Sequence, residues 1–203
     1  MKKIFCVIMI LAIMILPNIC GAVEISETTY NGNFELKYPE IKMSNTVIAG
    51  KINQVIREEI KNFIVAAREP NPSVTAATSY KIPLDNGKIL SILLTEYVNY
   101  EGAAHPLTYK RGLNFNADTG ERMNTGYLTD IGSGNPKFFP ENITRKLREK
   151  AERENLFLFE EMLPLKSVPE DFYFDEKLHL HFLFQQYEVA PYAVGIIDVD
   201  TSL

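Results

Sequence analysis

The chain has 203 residues, of which 46% are hydrophobic and 23% charged, and its formal net charge at pH 7 is −5. A chain of this length can bury a core large enough to fold without disulfides. The acidic balance argues against a nucleic-acid-binding protein, because neutralising phosphates requires a basic face.

The first 22 residues have the pattern of a secretory signal peptide. Lys2 and Lys3 precede an apolar run over residues 4–16, and small residues stand near the end of the segment at Cys20-Gly21-Ala22. We expect cleavage after Ala22 and therefore a secreted or periplasmic protein. Lipidation at Cys20 and retention of the apolar run as an N-terminal anchor stay open as alternatives.

Cleavage would change both the cysteine content and the charge of the protein. Cys6 and Cys20 are the two cysteines of the chain, so the mature protein would contain no disulfide. Loss of the two N-terminal lysines would leave 19 basic against 26 acidic residues, a net charge of −7. This charge permits attraction to a cationic partner. Beyond the N-terminal segment, no apolar run is long enough to predict a transmembrane helix.

The first predicted elements are a strand and a long helix. Apolar residues alternate along residues 31–41, which indicates a half-buried strand that ends at Pro39. Apolar residues then recur at helical spacing over residues 48–67, and a cap at Ser44 or Asn45 is expected to begin this helix. It is the most strongly patterned element of the chain.

Hairpins and a second helix follow. Residues 73–100 predict a hairpin that turns at Asn86-Gly87. Residues 107–116 and 121–125 predict another hairpin, and Pro140 is typical of the first turn of a helix. The helix carries a narrow apolar stripe with dense charge elsewhere, which favours a position on a surface over one inside a core.

The last third of the chain returns to strands, with aromatic and aliphatic residues alternating between residues 171 and 200. The order of elements predicts an α+β fold of two small α/β halves, each a mainly antiparallel sheet with one packed helix. We therefore expect a signal peptide over 1–22, an N-terminal domain over 23–100 and a C-terminal domain over 101–203.

His105 is the first candidate site residue, within the segment Gly-Ala-Ala-His-Pro. A catalytic histidine needs a nucleophile or an orienting carboxylate nearby. Glu96 and Glu101 are close in sequence, but no nucleophile motif accompanies them. The small neighbours and Pro106 favour a structural corner in which His105 forms hydrogen bonds. A small envelope hydrolase that uses His105 with a carboxylate stays the alternative.

Other titratable groups carry weaker signals. His179 and His181 share one strand face and could hold a metal, but no spacing supplies a third and fourth ligand. The simpler interpretation is that both histidines lie on the solvent-exposed face of a half-buried strand. The acidic pairs Glu160-Glu161 and Glu170-Asp171 are more typical of solvated faces than of a glycosidase. We predict no catalytic residue, no metal site and no cofactor.

The most specific stretch is YEVAPYAVG, residues 187–195, which we call the Tyr–Pro segment. Its candidate structural or binding residues are Tyr187, Glu188, Pro191, Tyr192 and Gly195. Pro191 bars normal strand pairing, and Gly195 permits close approach or a positive φ. The segment is predicted to be either a packed corner or an exposed aromatic surface for a partner.

These motifs together resemble a bacterial extracytoplasmic domain family, that of the anti-sigma-V factor RsiV ectodomain and of the non-catalytic module beside the peptidoglycan deacetylase PdaC. The matching residues are Gly102, Ala104, His105, Asn114, Phe115, Thr119, Gly120, Tyr187, Glu188, Ala190, Pro191, Tyr192, Ala193 and Gly195. Residues 23–100 resemble the small PdaC-type domain, and residues 101–203 resemble the RsiV-like ectodomain.

The resemblance implies a cell-envelope binding module without catalytic activity. Its implied ligand is a cationic protein such as a lysozyme, or the glycan of peptidoglycan. Departures from the pattern limit this implication: no anti-sigma segment precedes the apolar run, no deacetylase domain is appended, and Ala103 stands where a second glycine is usual. A purely structural role, in which the protein binds no ligand, also stays open.

Overall fold

The computed structural model describes residues 23–32, 34–68, 73–131 and 139–201. The predicted signal peptide, with Cys6 and Cys20, lies outside the described residues, so its cleavage stays a prediction. Within the described ranges, no helix combines the length and the apolar character needed to cross a bilayer.

The described elements form two sheets with helices packed on them, which confirms the predicted α+β class. In chain order they are β1 (Glu24–Asn31), β2 (Glu35–Lys42), α1 (Thr46–Arg68), β3 (Val74–Asp85), β4 (Ile89–Tyr100), β5 (Leu107–Asn116), α2 (Thr125–Ile131), α3 (Pro140–Glu154), β6 (Phe172–Phe174), β7 (Leu180–Phe184) and β8 (Ile197–Asp200). Short 3-10 helices cover Glu160–Met162 and Tyr192–Val194.

Strands β1 to β5 form the first sheet in sequence order. Neighbouring strands are antiparallel, except that β2 and β3 run parallel. Helix α1 lies over this sheet, and its apolar stripe is buried as the periodicity predicted. The helix begins where expected, because the Asn45 side chain accepts hydrogen bonds from the backbone N–H groups of Val47 and Ile48.

The start of the sheet differs from the prediction in two ways. Strand β1 was not predicted, because its sequence, EISETTYN, is polar and only weakly alternating. Strand β2 does not end at Pro39, which pairs with Glu27 of β1. The described pairing of β2 with β3 is confined to Glu35 and Leu36. Beyond Leu36, the edge of β2 that faces away from β1 has no described strand partner. Pro39, which has no N–H to donate, is therefore tolerated in this part of β2.

A buried side chain replaces strand pairing on that side of β2. The amide of Asn53, on α1, accepts a hydrogen bond from Ile41 N–H and donates one to Ile41 C=O. Both bonds are 2.8 Å long, and Asn53 is buried. The helix is thereby fixed to the strand by a polar contact within its apolar stripe, as buried backbone groups require.

The predicted hairpin over residues 73–100 is confirmed as β3 and β4. The second predicted hairpin is only half correct. Residues 107–116 form β5, but the expected partner strand over 121–125 is reduced to an isolated bridge between Phe115 and Arg122. Helix α2 begins at Thr125, the last residue of the segment that was predicted to be the partner strand.

The second sheet contains β6, β7 and β8 in that order, all antiparallel. Helix α3 begins at Pro140 as predicted, and its stripe of Ile143, Leu147 and Ala151 is buried. These residues pack with the aromatic side chains of β6 and β7 in one core cluster. The remaining face of α3 carries the dense charge, so the helix lies on the surface of the sheet.

The two sheets touch where β6 passes β5. A Cβ atom at Gly112 would lie 1.6 Å from the carbonyl oxygen of Phe172, so only glycine permits this approach. The buried Asn114 side chain donates to the same carbonyl at 2.7 Å. Because β5 belongs to the first sheet, that sheet extends past residue 100, and the predicted division of the chain into domains at this point stays a prediction.

Candidate functional site

The structure brings together three of the predicted site residues from distant parts of the sequence. His105 lies between β4 and β5, while Tyr187 and Tyr192 lie between β7 and β8. His105 Nε2 is 2.8 Å from the hydroxyl oxygen of Tyr187. The His105 ring also stacks on Tyr192, with ring centroids 3.7 Å apart. We call His105, Tyr187 and Tyr192 the tyrosine surface.

The hydrogen bonds of His105 define its tautomer. Nδ1 lies 3.2 Å from the carbonyl oxygen of Pro106, which can only accept. Nδ1 therefore carries the proton in the neutral ring, and Nε2 accepts a hydrogen bond from the Tyr187 hydroxyl. Both ring nitrogens thus hold parts of the fold together, an arrangement typical of a structural corner.

Tyr187 has an unusual backbone conformation. Its φ is +68°, in the left-handed region that bulky residues rarely adopt. The residue is 51% exposed, although Val189 and Ala190, which follow in the same segment, are buried in the core. The Tyr–Pro segment therefore combines a packed apolar part with an aromatic ring that is held out into solvent.

Two glutamines attach the Tyr–Pro segment to the edge strand β5. Gln186 Oε1 accepts a hydrogen bond from Thr108 N–H at 2.9 Å. Gln185 accepts from Lys110 N–H at 3.0 Å and donates to Lys110 C=O at 2.8 Å. These side chains occupy the edge of β5 as a further strand would, and they place Tyr187 beside His105. These two glutamines were not predicted as site residues, although Gln-Gln directly before a turn was a visible signal in the sequence.

The remaining candidates shape the Tyr–Pro segment. Glu188 accepts a hydrogen bond from Gln185 N–H at 2.7 Å. Burial raises the pKa of Glu188, and this hydrogen bond opposes the shift. Pro191 precedes the 3-10 helix Tyr192–Val194, which Gly195 ends with φ of +79°. Of the two reasons expected for Gly195, the positive φ is present, whereas close approach is not, because an added Cβ would meet nothing within 4 Å.

A charged network that the sequence analysis missed lies next to this attachment. Arg111 Nη1 donates to Asp171 Oδ2 at 2.9 Å, and Gln185 Nε2 donates to the same oxygen at 3.1 Å. Asp171 is therefore not part of a solvated acidic face, as was expected for the pair Glu170-Asp171. Arg111 also lies 3.5 Å from the carboxylate of Glu96, which is buried in β4.

The interpretation of His181 as a solvated residue is wrong. Its Nδ1 lies 2.8 Å from Asp198 Oδ1, and its ring stacks on Tyr173 with centroids 4.6 Å apart. The Tyr173 hydroxyl donates to the other oxygen of Asp198 at 2.7 Å. His179 lies 3.7 Å from Asp200. Asp200 lies opposite His181 across the sheet, and Asp198 lies two positions away on the same face; the alternation of these aspartates was the signal available in the sequence.

These groups form a histidine–aspartate cluster without the geometry of a metal site. Among the described residues, no set of three or more His, Cys, Asp or Glu side chains is arranged to hold a metal ion. In the exposed pair Glu160-Glu161, Glu160 forms a surface ion pair with Arg148 at 2.6 Å.

Comparison with known proteins yields two family matches. Residues 25–108 match the family model described as "Deacetylase PdaC". Residues 129–201 match the model described as "Protein of unknown function (DUF3298)". The comparison with curated proteins found no match.

Solved structures share the fold over most of the chain. A DUF3298 family member from Bacteroides fragilis has a TM-score of 0.56 and 16% identity, covering 89% of this chain and 90% of its own. A DUF3298 family protein from Pseudomonas aeruginosa has a TM-score of 0.55 and 10% identity, with 88% of each chain covered. The chain is thus similar to PdaC over residues 25–108 and to the DUF3298 family over residues 129–201, which confirms the family resemblance inferred from its sequence.

Proposed function

We propose that this protein is an exported binding module of the cell envelope, without catalytic activity, that recognises its partner through the tyrosine surface. The observation that carries the proposal is Tyr187, a half-exposed aromatic residue at positive φ. Backbone conformations of this kind cost free energy and cluster at functional sites. Holding a tyrosine ring out of the core in this way is favourable when a partner covers it.

The tyrosine surface has the properties of a binding centre. Tyrosine offers a large contact area and a hydroxyl with little loss of side-chain freedom, and it is enriched among residues that dominate binding energy. His105 holds the Tyr187 hydroxyl and stacks on Tyr192, so both rings are oriented before a partner arrives. Such preorganisation lowers the entropic cost of association.

The partner class favoured by charge is a basic, lysozyme-like protein. The net charge of the chain is −5, and loss of Lys2 and Lys3 would make it −7. Opposite charge steers encounter and speeds association, while the aromatic centre would supply the specificity that charge alone does not. Resemblance to the RsiV ectodomain family supports the same choice.

Cell-wall glycan is the second candidate ligand. The flat, exposed ring of Tyr187 is suited to stacking against the apolar face of a sugar ring. The match of residues 25–108 to the model described as "Deacetylase PdaC" supports this candidate, because the family resemblance inferred from the sequence implies the glycan of peptidoglycan as a ligand. The hydrolase alternative is less well supported, because both ring nitrogens of His105 are engaged by Pro106 and Tyr187.

Titration calorimetry with a basic lysozyme tests the proposal. Saturable 1:1 binding at physiological salt, lost in Tyr187→Ala, is the expected result. Phe157→Ala is the matched control, because Phe157 is also an exposed aromatic residue, at 67%, and lies outside the tyrosine surface. Binding that vanishes with added salt would indicate only charge attraction. Binding to purified peptidoglycan instead would select the glycan, and equal binding by both variants would contradict the proposed surface.

A further inference from the structure

A cavity separate from the tyrosine surface lies between helix α1 and the β4–β5 side of the first sheet. Its volume is about 300 Å³, near the lower limit for small-ligand pockets. The residues that give it its character are Glu59, Phe63, Glu96, Tyr100, Tyr109 and Arg111. Carboxylates and aromatic rings thus line one concave site.

A buried carboxylate oxygen in this cavity has no hydrogen-bond partner. Glu96 is 3% exposed, and its Oε1 atom forms no hydrogen bond to any described residue. Its Oε2 atom lies 3.5 Å from Arg111 Nε, which is itself buried without a hydrogen-bond partner. Buried polar atoms are normally bonded, so the orphaned oxygen of a glutamate that lines the cavity indicates that a donor is missing.

The charges around the cavity are unequal. The carboxylates of Glu59, Glu96 and Asp171 all lie within 4.0 Å of Arg111, but its one short contact is with Asp171 at 2.9 Å. The other nearby cation, Arg122, is 4.0 Å from Glu59 and partly exposed. When Glu96 is ionised, three negative charges therefore face two positive ones. A bound cation would balance the site.

Burial is the main reason that the pKa of Glu96 is raised, to about 7. Arg111 opposes this shift, while Glu59 and Asp171 add to it. Glu96 is thus poised to lose its proton when a positive charge enters the cavity. Binding of a cation would release a proton near neutral pH.

The cavity walls suit a flat or compact cation. Tyr100 and Tyr109 contribute aromatic rings from neighbouring strands, and Phe63 contributes one from α1. The Tyr100 hydroxyl donates to Ala66 C=O at 3.4 Å, which holds that ring in place. Arg111 already lies 5.3 Å from the Tyr109 ring centroid, so the wall accepts a guanidinium group.

We propose that this cavity binds a guanidinium or ammonium group, which donates a hydrogen bond to Glu96 Oε1 while the aromatic rings cover its faces. The group could belong to a free small cation or to an arginine or lysine side chain of a protein. The site does not depend on the partner proposed for the tyrosine surface, because the two are lined by different residues.

Titration of the exported protein with N-acetyl-L-arginine amide tests the site. N-acetyl-L-citrulline amide is the matched probe, since it has nearly the same shape without the charge. We expect saturable 1:1 binding of the arginine probe and binding of the citrulline probe at least about tenfold weaker, a difference typical of a lost charged hydrogen bond. Affinity should rise about tenfold between about pH 6 and pH 8 as Glu96 ionises.

Variants distinguish binding of the arginine probe at this site from nonspecific charge attraction to the protein. Glu96→Gln and Glu59→Gln should each weaken binding about tenfold, and Glu96→Gln should also remove its pH dependence. Glu58→Gln is the matched control, because Glu58 is exposed on the same helix and binds Gln54. If Glu96→Gln does not fold, the affinity of Glu59→Gln for the arginine probe decides the test. The Glu59 side chain is already 19% exposed, so its substitution disturbs the core less.

Several results would overturn the proposal. Absence of saturable binding to the wild-type protein, equal affinity for both probes, or binding unchanged in Glu59→Gln and Glu96→Gln would each do so. Displacement of a bound basic lysozyme by the arginine probe would identify the source as a protein side chain. Saturable probe binding while a basic lysozyme stays bound would assign the site to a free cation. Probe binding itself supports the site even if no lysozyme binds at all.

Discussion

His105 and Tyr187 are 82 positions apart in the chain, and a hydrogen bond of 2.8 Å joins the ring nitrogen of one to the hydroxyl of the other. The bond connects the turn between β4 and β5 with the segment that follows β7. It therefore links the first sheet to the Tyr–Pro segment and holds Tyr187 in a conformation that it would not adopt alone.

The first prediction is that His105→Ala lowers the free energy of unfolding by about 1 kcal/mol, because the hydrogen bonds to Pro106 C=O and to the Tyr187 hydroxyl are lost, while the half-exposed hydroxyl can bind water instead. In a double-mutant cycle with Tyr187→Phe, the coupling between the two residues should be about 0.5–1.5 kcal/mol. Urea denaturation of the four proteins measures both values. An unchanged stability accompanied by loss of a hydrolytic activity would instead support the enzyme alternative.

The second prediction concerns two glycines with different roles. Gly195→Ala should cost about 1–3 kcal/mol through its backbone conformation alone, with φ of +79° and ψ of −154°, since there is free space around the added Cβ. Gly195→Asn should cost about as much, because this conformation is not the left-handed helical one that asparagine tolerates. Gly112→Ala should cost at least about 3 kcal/mol, because the Cβ would overlap the Phe172 carbonyl and force the strands apart. Thermal and urea unfolding rank the three variants. Equal costs at both positions would show that the distinction is wrong.

The sequence was sufficient to locate those helices and strands whose apolar residues, spaced at the period of the element, are the ones buried in the fold. Helix α1 and the alternating strand β7 bury their apolar faces, and β4, which is apolar on both faces, is buried between neighbouring strands, so pattern alone located all three. Strand β1 escaped prediction because its stability comes from pairing with β2 rather than from its own apolar residues. The continuation of β2 past Pro39 likewise depends on which of its edges is paired, which one strand's sequence does not reveal.

The site was less predictable, because it is made of long-range contacts. His105 and the tyrosines were identified as candidates from their motifs, but their proximity depends on how Gln185 and Gln186 bind β5. The network around Arg111 joins β5 to Asp171, 60 positions away. Its residues carry no local motif, and their burial follows only from the packing of the second sheet on the first.

The third prediction concerns the pH dependence contributed by His181. Burial disfavours its charged form, but the hydrogen bond to Asp198 and the nearby Asp200 and Asp175 outweigh this, so the pKa of His181 is raised. A raised histidine pKa stabilises the fold fully below the unfolded value of about 6.5, and the gain is lost as pH rises through the folded pKa.

Asp198→Asn should therefore lower the pKa of His181 and destabilise the fold more at about pH 5.5 than above its folded pKa. Nuclear magnetic resonance titration of the histidine ring protons, combined with unfolding at both pH values, measures these effects. Asp118→Asn is the control, because Asp118 forms an exposed pair with Lys88 and should leave the His181 titration unchanged. A His181 pKa unaffected by Asp198→Asn would exclude the assigned cause.

The last prediction follows from Glu96, whose pKa is raised from 4.5 to about 7, chiefly by burial. Between these values the folded protein holds a proton that the unfolded chain has released, so stability falls as pH rises through this range and then levels off. The loss should be on the order of 3 kcal/mol. Glu96→Gln cannot ionise, so its stability relative to the wild-type protein should increase over the same range, whereas Glu58→Gln should follow the wild type. Urea denaturation at several pH values gives the difference curves. A flat difference between Glu96→Gln and the wild type would mean that Glu96 is already ionised in the fold, with Arg111 compensating for its burial.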